Sequence, residues 1–166
     1  MIESWDVLDE LRNYTGRTHK RGDPLPAGDY HLVVRAWIVN SKGEFLISRR
    51  DLRKSFPGMW EVPSGSAMAG EESLEAAIRE TKEETGIILL PENAELFSTY
   101  RRDELNSFYD NWLFRQCFDI RSAVPGQGET IEVRTATLSE ISQMMDQGEF
   151  IDRTVFSEFD LLKELL

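Results

Sequence analysis

Three glutamates, Glu80, Glu83 and Glu84, are spaced so that a helix would carry them on one side, because residues three and four apart on a helix are neighbours. Carboxylates crowded in this way repel one another unless something cationic sits among them. Hard divalent ions take oxygen ligands, so the set reads as a cradle for Mg²⁺ or Mn²⁺, with substrate phosphate oxygens completing the shell. A metal held there would neutralise the charge of phosphate oxygens drawn into its shell. The competing reading is a solvated acidic helix face, and a chain with 30 Asp and Glu among 166 residues supplies such faces readily.

The elements that must position these groups follow from the flanking sequence. Helix is expected over 73–85, with Gly86 at the C-cap and Leu74, Ala77, Ile78 and Thr81 pointing away from the carboxylates. A glycine-led loop from Gly65 precedes it, entered from a short strand over 59–62. Upstream, the Val-, Ile- and Trp-rich segment 31–40, a turn at Ser41, Lys42 and Gly43, and the segment 44–49 read as a β-hairpin, followed by a basic loop over 51–57. Downstream, 94–100 and 106–120 read as strands, 124–128 as a loop and 131–138 as a final strand. Helices are expected over 139–147 and 154–166, the second with Val155, Phe156, Phe159, Leu162 and Leu166 as a stripe packing on the sheet. Together these predict one α/β domain over 1–166, a mixed sheet with helices on both faces.

Composition narrows the function. A formal charge of −11 argues against a nucleic-acid polymer and against anionic membranes as partners, while leaving room for a small anionic substrate held by metal and a few arginines. Cys117 is the single cysteine, so no intrachain disulfide is possible and a reducing cytoplasm is the expectation; its thiol is expected to be buried in a strand. The apolar runs are too short to span a bilayer.

The full spacing, Gly65, Glu71, Arg79 and Glu80, Glu83 and Glu84, Gly86 and then apolar Ile87, resembles the box of the Nudix hydrolases, with Thr81 where that family usually has an aliphatic residue. The resemblance implies an α/β/α sandwich and hydrolysis of a diphosphate joining a nucleoside, or something like one, to another group. It also implies roles. Glu80 and Glu84 become the chief metal ligands, assisted by Glu83 and the Gly65 carbonyl; Arg79 orients the cluster, and Glu71 pairs with Arg79 at the helix entrance. Glu83 and Arg79 thereby count among the catalytic residues. The general base varies across the family, and the loop 126–133 offers Glu129 and Glu132, of which Glu129 lies in the flexible, glycine-flanked part. Arg49, Arg50, Trp60 and Glu71 complete the expected substrate-contacting set, and a homodimer is compatible with the family.

Outside the box, Trp5 to Asp9, Thr15 to His19, Tyr30 to Leu32 and Ser55 to Trp60 resemble the isopentenyl-diphosphate isomerase branch, with 1–30 as an extension of that branch. The isomerase positions for a cysteine, a histidine and a glutamate pair are held here by Ser64, Ser66 and the run Tyr109 to Trp112, which removes the acid and base of double-bond migration. His19 and His31 match two isomerase metal ligands and are expected to be structural. Hydrolysis is therefore the leading expectation, ahead of isomerisation or a non-catalytic ligand sensor.

Overall fold

The computed structural model describes residues 3–151 and 156–166. Its centre is strand β3 (His31–Val39), whose neighbours run β5-β4-β3-β8-β7 across one sheet, with β6 added along β3 and β9 along β4. The other strands are β1 (Ser4–Leu8), β2 (Tyr14–Lys20), β4 (Glu44–Arg50), β5 (Trp60–Glu61), β6 (Ser64–Ser66), β7 (Ala94–Arg102), β8 (Ser107–Arg115) and β9 (Thr130–Thr137). The helices are α1 (Ser73–Thr85), α2 (Leu138–Asp146) and α3 (Phe156–Leu165). β3 and β8 are parallel and β7 and β8 antiparallel, so the sheet is mixed.

Alternation along β3 divides the core in two. Leu32, Val34, Ala36 and Ile38 face α1 and its Ala76 and Ala77, whereas Trp37 and Val39 face α2 and α3 through Ile141, Met144, Phe159 and Leu162. The expected α/β/α layering is thus present, and the stripe on the last helix packs on the sheet through Phe159 and Leu162. Thr154 and Val155, with the side chain of Phe156, lie outside the described residues.

The hairpin expected from β3 and β4 is present but splayed, because the two strands pair only next to their turn, at Val39 and Phe45. Beyond that point β3 pairs with β6, Val34 opposite Gly65, while β4 pairs with β5, Ser48 opposite Glu61. The segment read as a glycine loop is therefore partly a short strand wedged into the splay. Its backbone is delivered to Glu80, at the N-terminal end of α1's carboxylate row, by sheet hydrogen bonds instead of by loop conformation.

One other expectation is corrected. The strand expected over 106–120 stops at Arg115, so Cys117 is exposed, beside Ser41, and is not a buried core thiol. The segment before residue 30 forms the β1–β2 hairpin, which braces the loop leading into α1: the Ala69 N–H donates to the Ser4 carbonyl at 2.8 Å and the Gly70 N–H to Asp6 Oδ2 at 2.7 Å.

Candidate active site

Helix α1 ends as expected, with Gly86 in the left-handed region at φ 73° and its N–H donating to the Lys82 carbonyl. Along α1 the carboxylates separate into different environments. Glu84 is 2% exposed, Glu80 is largely buried, and Glu83 is about half exposed. The Glu80 carboxylate lies against Gly65 so closely that a β-carbon there would fall 2.1 Å from Glu80 Cδ, so only glycine allows this approach.

Arg79 organises the outer part of this set. It donates to both oxygens of Glu71, at 2.7 and 2.9 Å, to Glu80 at 2.8 Å, to Glu83 at 3.0 Å and to the Ser66 carbonyl at 3.1 Å. Glu71 also accepts from the Met68 N–H at 2.9 Å, so it holds the loop entering α1 as well as Arg79. This places Glu71 at the back of the cluster, as a partner of Arg79.

Glu84 has a poorer setting. The Ser48 hydroxyl donates to it at 3.3 Å, and Glu61 and Glu80 both face it. Burial pushes its carboxyl well above the ordinary range, and the charge of Glu61 pushes it further. Burial likewise raises Glu61, against the pull of Arg50, which donates to it at 2.8 Å. Glu80 is pushed up to about 7 by burial, against the attraction of Arg79. Lys54 is the second cation of the site. It pairs with Glu129 and attracts Glu84 and Glu61.

Glu129 stands on a loop fastened to the end of α1. The Gly126 N–H donates to the Glu84 carbonyl at 3.0 Å and the Val124 N–H to the Thr85 carbonyl at 2.8 Å, and a β-carbon on Gly126 would meet the Glu83 carbonyl oxygen at 2.1 Å. Glu132, by contrast, sits on β9 opposite Arg49 and pairs with it at 3.5 Å.

Pleating separates the expected substrate residues. Ser48, Arg50 and Glu61 turn toward Glu84, so Arg49 and Trp60, out of phase by one residue, turn away. Trp60 is a core residue, with the guanidinium of Arg134 4.5 Å and that of Arg49 5.7 Å from its ring centre. Arg50 lines a cavity of about 550 Å³ together with Glu61, Ser64, Val33, Arg35, Phe56 and Tyr109. Glu61 and Ser64 are common to the cavity wall and the carboxylate cluster, the Ser64 hydroxyl donating to Glu61 at 3.3 Å. Sequence reasoning passed over Glu61; the available signal was an acidic residue inside the otherwise apolar strand 59–62. His31 is buried and stacks on Trp5 at 4.1 Å, and His19 bonds the Asp23 carbonyl, both in the bracing hairpin region and neither in the carboxylate cluster.

As the side chains stand, no three His, Cys, Asp or Glu groups among the described residues are gathered around one point as a metal shell; Arg79 engages Glu80 and Glu83, Arg50 engages Glu61 and Lys54 engages Glu129. The donor set nevertheless fits a hard divalent cation. It is all oxygen, and its buried members Glu84 and Glu61 repel one another in a way that Lys54 and Arg50 only partly offset.

Residues 29–159 match the model of the NUDIX domain. The chain belongs to this family. An uncharacterized Nudix hydrolase of Listeria monocytogenes is 36% identical over 152 residues, 90% of this chain and 89% of that one. The isopentenyl-diphosphate Delta-isomerase of Escherichia coli is 36% identical over 84 residues, 49% of this chain and 46% of the isomerase. Among solved structures, DR0079 of Deinococcus radiodurans superposes with a TM-score of 0.76 at 22% identity, over 95% of this chain and 98% of that one. The NUDIX domain of Shewanella oneidensis NrtR, complexed with ADP ribose, does so with 0.65 at 16% identity, over 87% and 93%. These structures establish the Nudix fold, a mixed sheet between helices, and Nudix hydrolases generally use divalent metals. No helix among the described residues is long and apolar enough to cross a membrane.

Proposed function

We propose that this Nudix domain is a pyrophosphohydrolase dependent on Mg²⁺ or Mn²⁺, cleaving the diphosphate linkage of a nucleoside-diphosphate derivative or a similar small pyrophosphate in the cytoplasm. The observation that carries this reading is the buried, mutually repelling pair Glu84 and Glu61, of which Glu61 lines the same cavity as Arg50. Buried carboxylates kept at such a cost to stability mark a site whose cation arrives from outside.

Glu80 and Glu84, with Glu83 and the carbonyl of Gly65, would hold the metal, which when bound neutralises diphosphate charge and acidifies a coordinated water. Glu61 stands beside them as a further carboxylate of the site. Arg79, fixed by Glu71, holds Glu80 and Glu83 in register. Glu129, paired with Lys54, would be the group that accepts a proton from the attacking water, its loop position giving it the reach that Glu132 lacks. Arg50 contacts the substrate from the cavity side.

The test is turnover of a panel of nucleotide sugars, dinucleoside polyphosphates, nucleoside di- and triphosphates, coenzyme A and isopentenyl diphosphate, with and without Mg²⁺ or Mn²⁺, products being identified by mass. Metal-dependent release of a monophosphate product supports the reading. Isomerised isopentenyl diphosphate, or binding without any turnover, would overturn it.

A further inference from the structure

The margins of the main sheet end in different ways. At β5 the edge is closed, since the Trp60 N–H donates to the Glu149 carbonyl at 2.8 Å and the Ile151 N–H to the Trp60 carbonyl at 2.7 Å. β7 pairs on one side with β8, and a bulge between Leu96 and Ser98 breaks the regularity of its outer edge, a common protection against pairing with another chain. β9 pairs on one side with β4 and has neither device over 132–137. Beyond that pairing, residues 131–136 make no backbone hydrogen bond among the described residues.

The side chains of β9 favour a further strand. Thr130, Ile131, Val133, Thr135 and Thr137 are β-branched, no proline interrupts them, and Ile131 is 45% exposed. The charges are self-complementary. Glu132 and Arg134 flank Val133 on one face, so an antiparallel copy centred on Val133 sets Glu132 of each chain opposite Arg134 of the other. Parallel in-register pairing, or antiparallel pairing centred on Glu132 or Arg134, sets like charges opposite each other instead. Within the chain both residues are weakly committed. Glu132 reaches Arg49 at 3.5 Å. Arg134 forms no ion pair among the described residues: its guanidinium lies over Trp60 and donates to Met144 Sδ at 3.3 Å. Glu140, the carboxylate it attracts, is held by the Thr137 N–H and hydroxyl at 2.7 and 2.9 Å.

We infer that β9 is the contact edge of a homodimer, in which a second copy of this chain pairs antiparallel about Val133 and continues the sheet. The interface is isologous, so the Glu132 to Arg134 contact is made twice across one two-fold axis. Backbone hydrogen bonds hold the strands together and the crossed charges fix their register. A pairing this short buries less than the roughly 1,200 Å² of a standard stable interface, so the dimer is weak, with a dissociation constant on the order of 10 μM. The inference stands apart from the pyrophosphohydrolase reading.

Sedimentation velocity of the full chain over about 1 to 100 μM tests it, in about 0.15 M salt, where the general repulsion between two chains of charge −11 is screened beyond about 8 Å. The wild-type chain should pass from monomer to dimer across this range. E132R and R134E each set like charges across the axis and should weaken the dimer about ten-fold or more, with circular dichroism checking that both are folded. Mixed in equal amounts, the two variants regain opposite charges at both crossings and should form a heterodimer at about the wild-type affinity. That recovery separates a pairing contact from a damaged strand, and E132R, an exposed change, keeps the test decisive if R134E fails to fold. A wild-type chain that stays monomeric throughout, a folded variant that dimerises like wild type, or a mixture of folded variants that stays monomeric would each overturn the inference.

Discussion

Asp110 and Glu84 are carboxylates buried to nearly the same degree, 1% and 2% exposed, in opposite surroundings. Asp110 receives both arms of Arg12 from the β1–β2 turn, at 2.8 and 2.6 Å, and the Ser73 hydroxyl at 2.6 Å, while Trp112 donates to that same hydroxyl at 3.0 Å. Every charge there has a counter-charge, and three separate parts of the chain are locked together: the N-terminal hairpin, β8 and the first turn of α1. Glu84 has one long hydrogen bond and two carboxylates facing it. The first arrangement serves stability, and the second sacrifices it, as the cation site proposed for Glu84 would require.

The largest expected effect separates the two directly. E84Q should cut metal-dependent turnover by roughly three orders of magnitude, the several kcal/mol that metal-clamped phosphate chemistry supplies, while leaving the thermal midpoint unchanged or raised. D110N should do the opposite, costing about 2 kcal/mol because it removes the buried charge that holds the one-third-exposed Arg12, for a drop in midpoint of very roughly 6 °C. Denaturation of both variants beside one turnover assay decides it. A stability loss in E84Q as large as that in D110N would erase the distinction.

Two glycines sharpen it. G126A drives a β-carbon onto the rigid Glu83 carbonyl, so stability should fall by about 2 kcal/mol, seen as a lower urea midpoint. G65A meets only the end of a side chain, so the fold should survive while Glu80 is displaced and kcat falls about ten- to a hundred-fold. Equal effects of the two on stability would contradict the placement of Glu80.

Next in size is pH. Glu80 is raised to about 7 in the folded protein from an ordinary 4.5, so its contribution is fully present below 4.5 and is lost as pH rises through 7, about 3 kcal/mol in all. His31 is lowered by burial to about 4 from 6.5, so its contribution is present above 6.5 and is lost as pH falls through 4. The two slopes oppose each other between 4.5 and 6.5; above that range His31 no longer contributes, and Glu80, in the same direction as the raised Glu84 and Glu61, continues to lower stability. Urea unfolding of the metal-free protein should therefore weaken between pH 6.5 and 8, and E80Q or saturating Mg²⁺ should flatten that limb. An unchanged slope in E80Q would show that another group is titrating. The smallest effect is expected of E132Q, an exposed pair with Arg49, which should change stability by less than about 0.5 kcal/mol and turnover by less than about two-fold.

How much of this could be read beforehand depended on the range of the interaction. The helix 73–85, its Gly86 cap and the row of glutamates are local, and each was legible. The β1–β2 hairpin was not. The strand Tyr14–Lys20 is mostly exposed and polar, without an apolar alternation, and it is held by pairing and by Arg12 reaching Asp110 98 residues away. Cys117 was misplaced because an apolar-looking run continues past the point where β8 ends at Arg115.

The sequence by itself determined the family, the layered fold class and the identity of the anionic row, because helical spacing brings Arg79, Glu80, Glu83 and Glu84 together whatever surrounds them. Only the tertiary structure decided that these glutamates are unequal, that Glu61 joins them, and that Arg50 and Phe56 share a cavity from which Arg49 and Trp60 are turned away. Burial and cross-strand register produce those distinctions. Both are properties of segments distant in the chain and adjacent in space, and a pleat of one residue is enough to send neighbours such as Arg49 and Arg50 to opposite faces of the same strand.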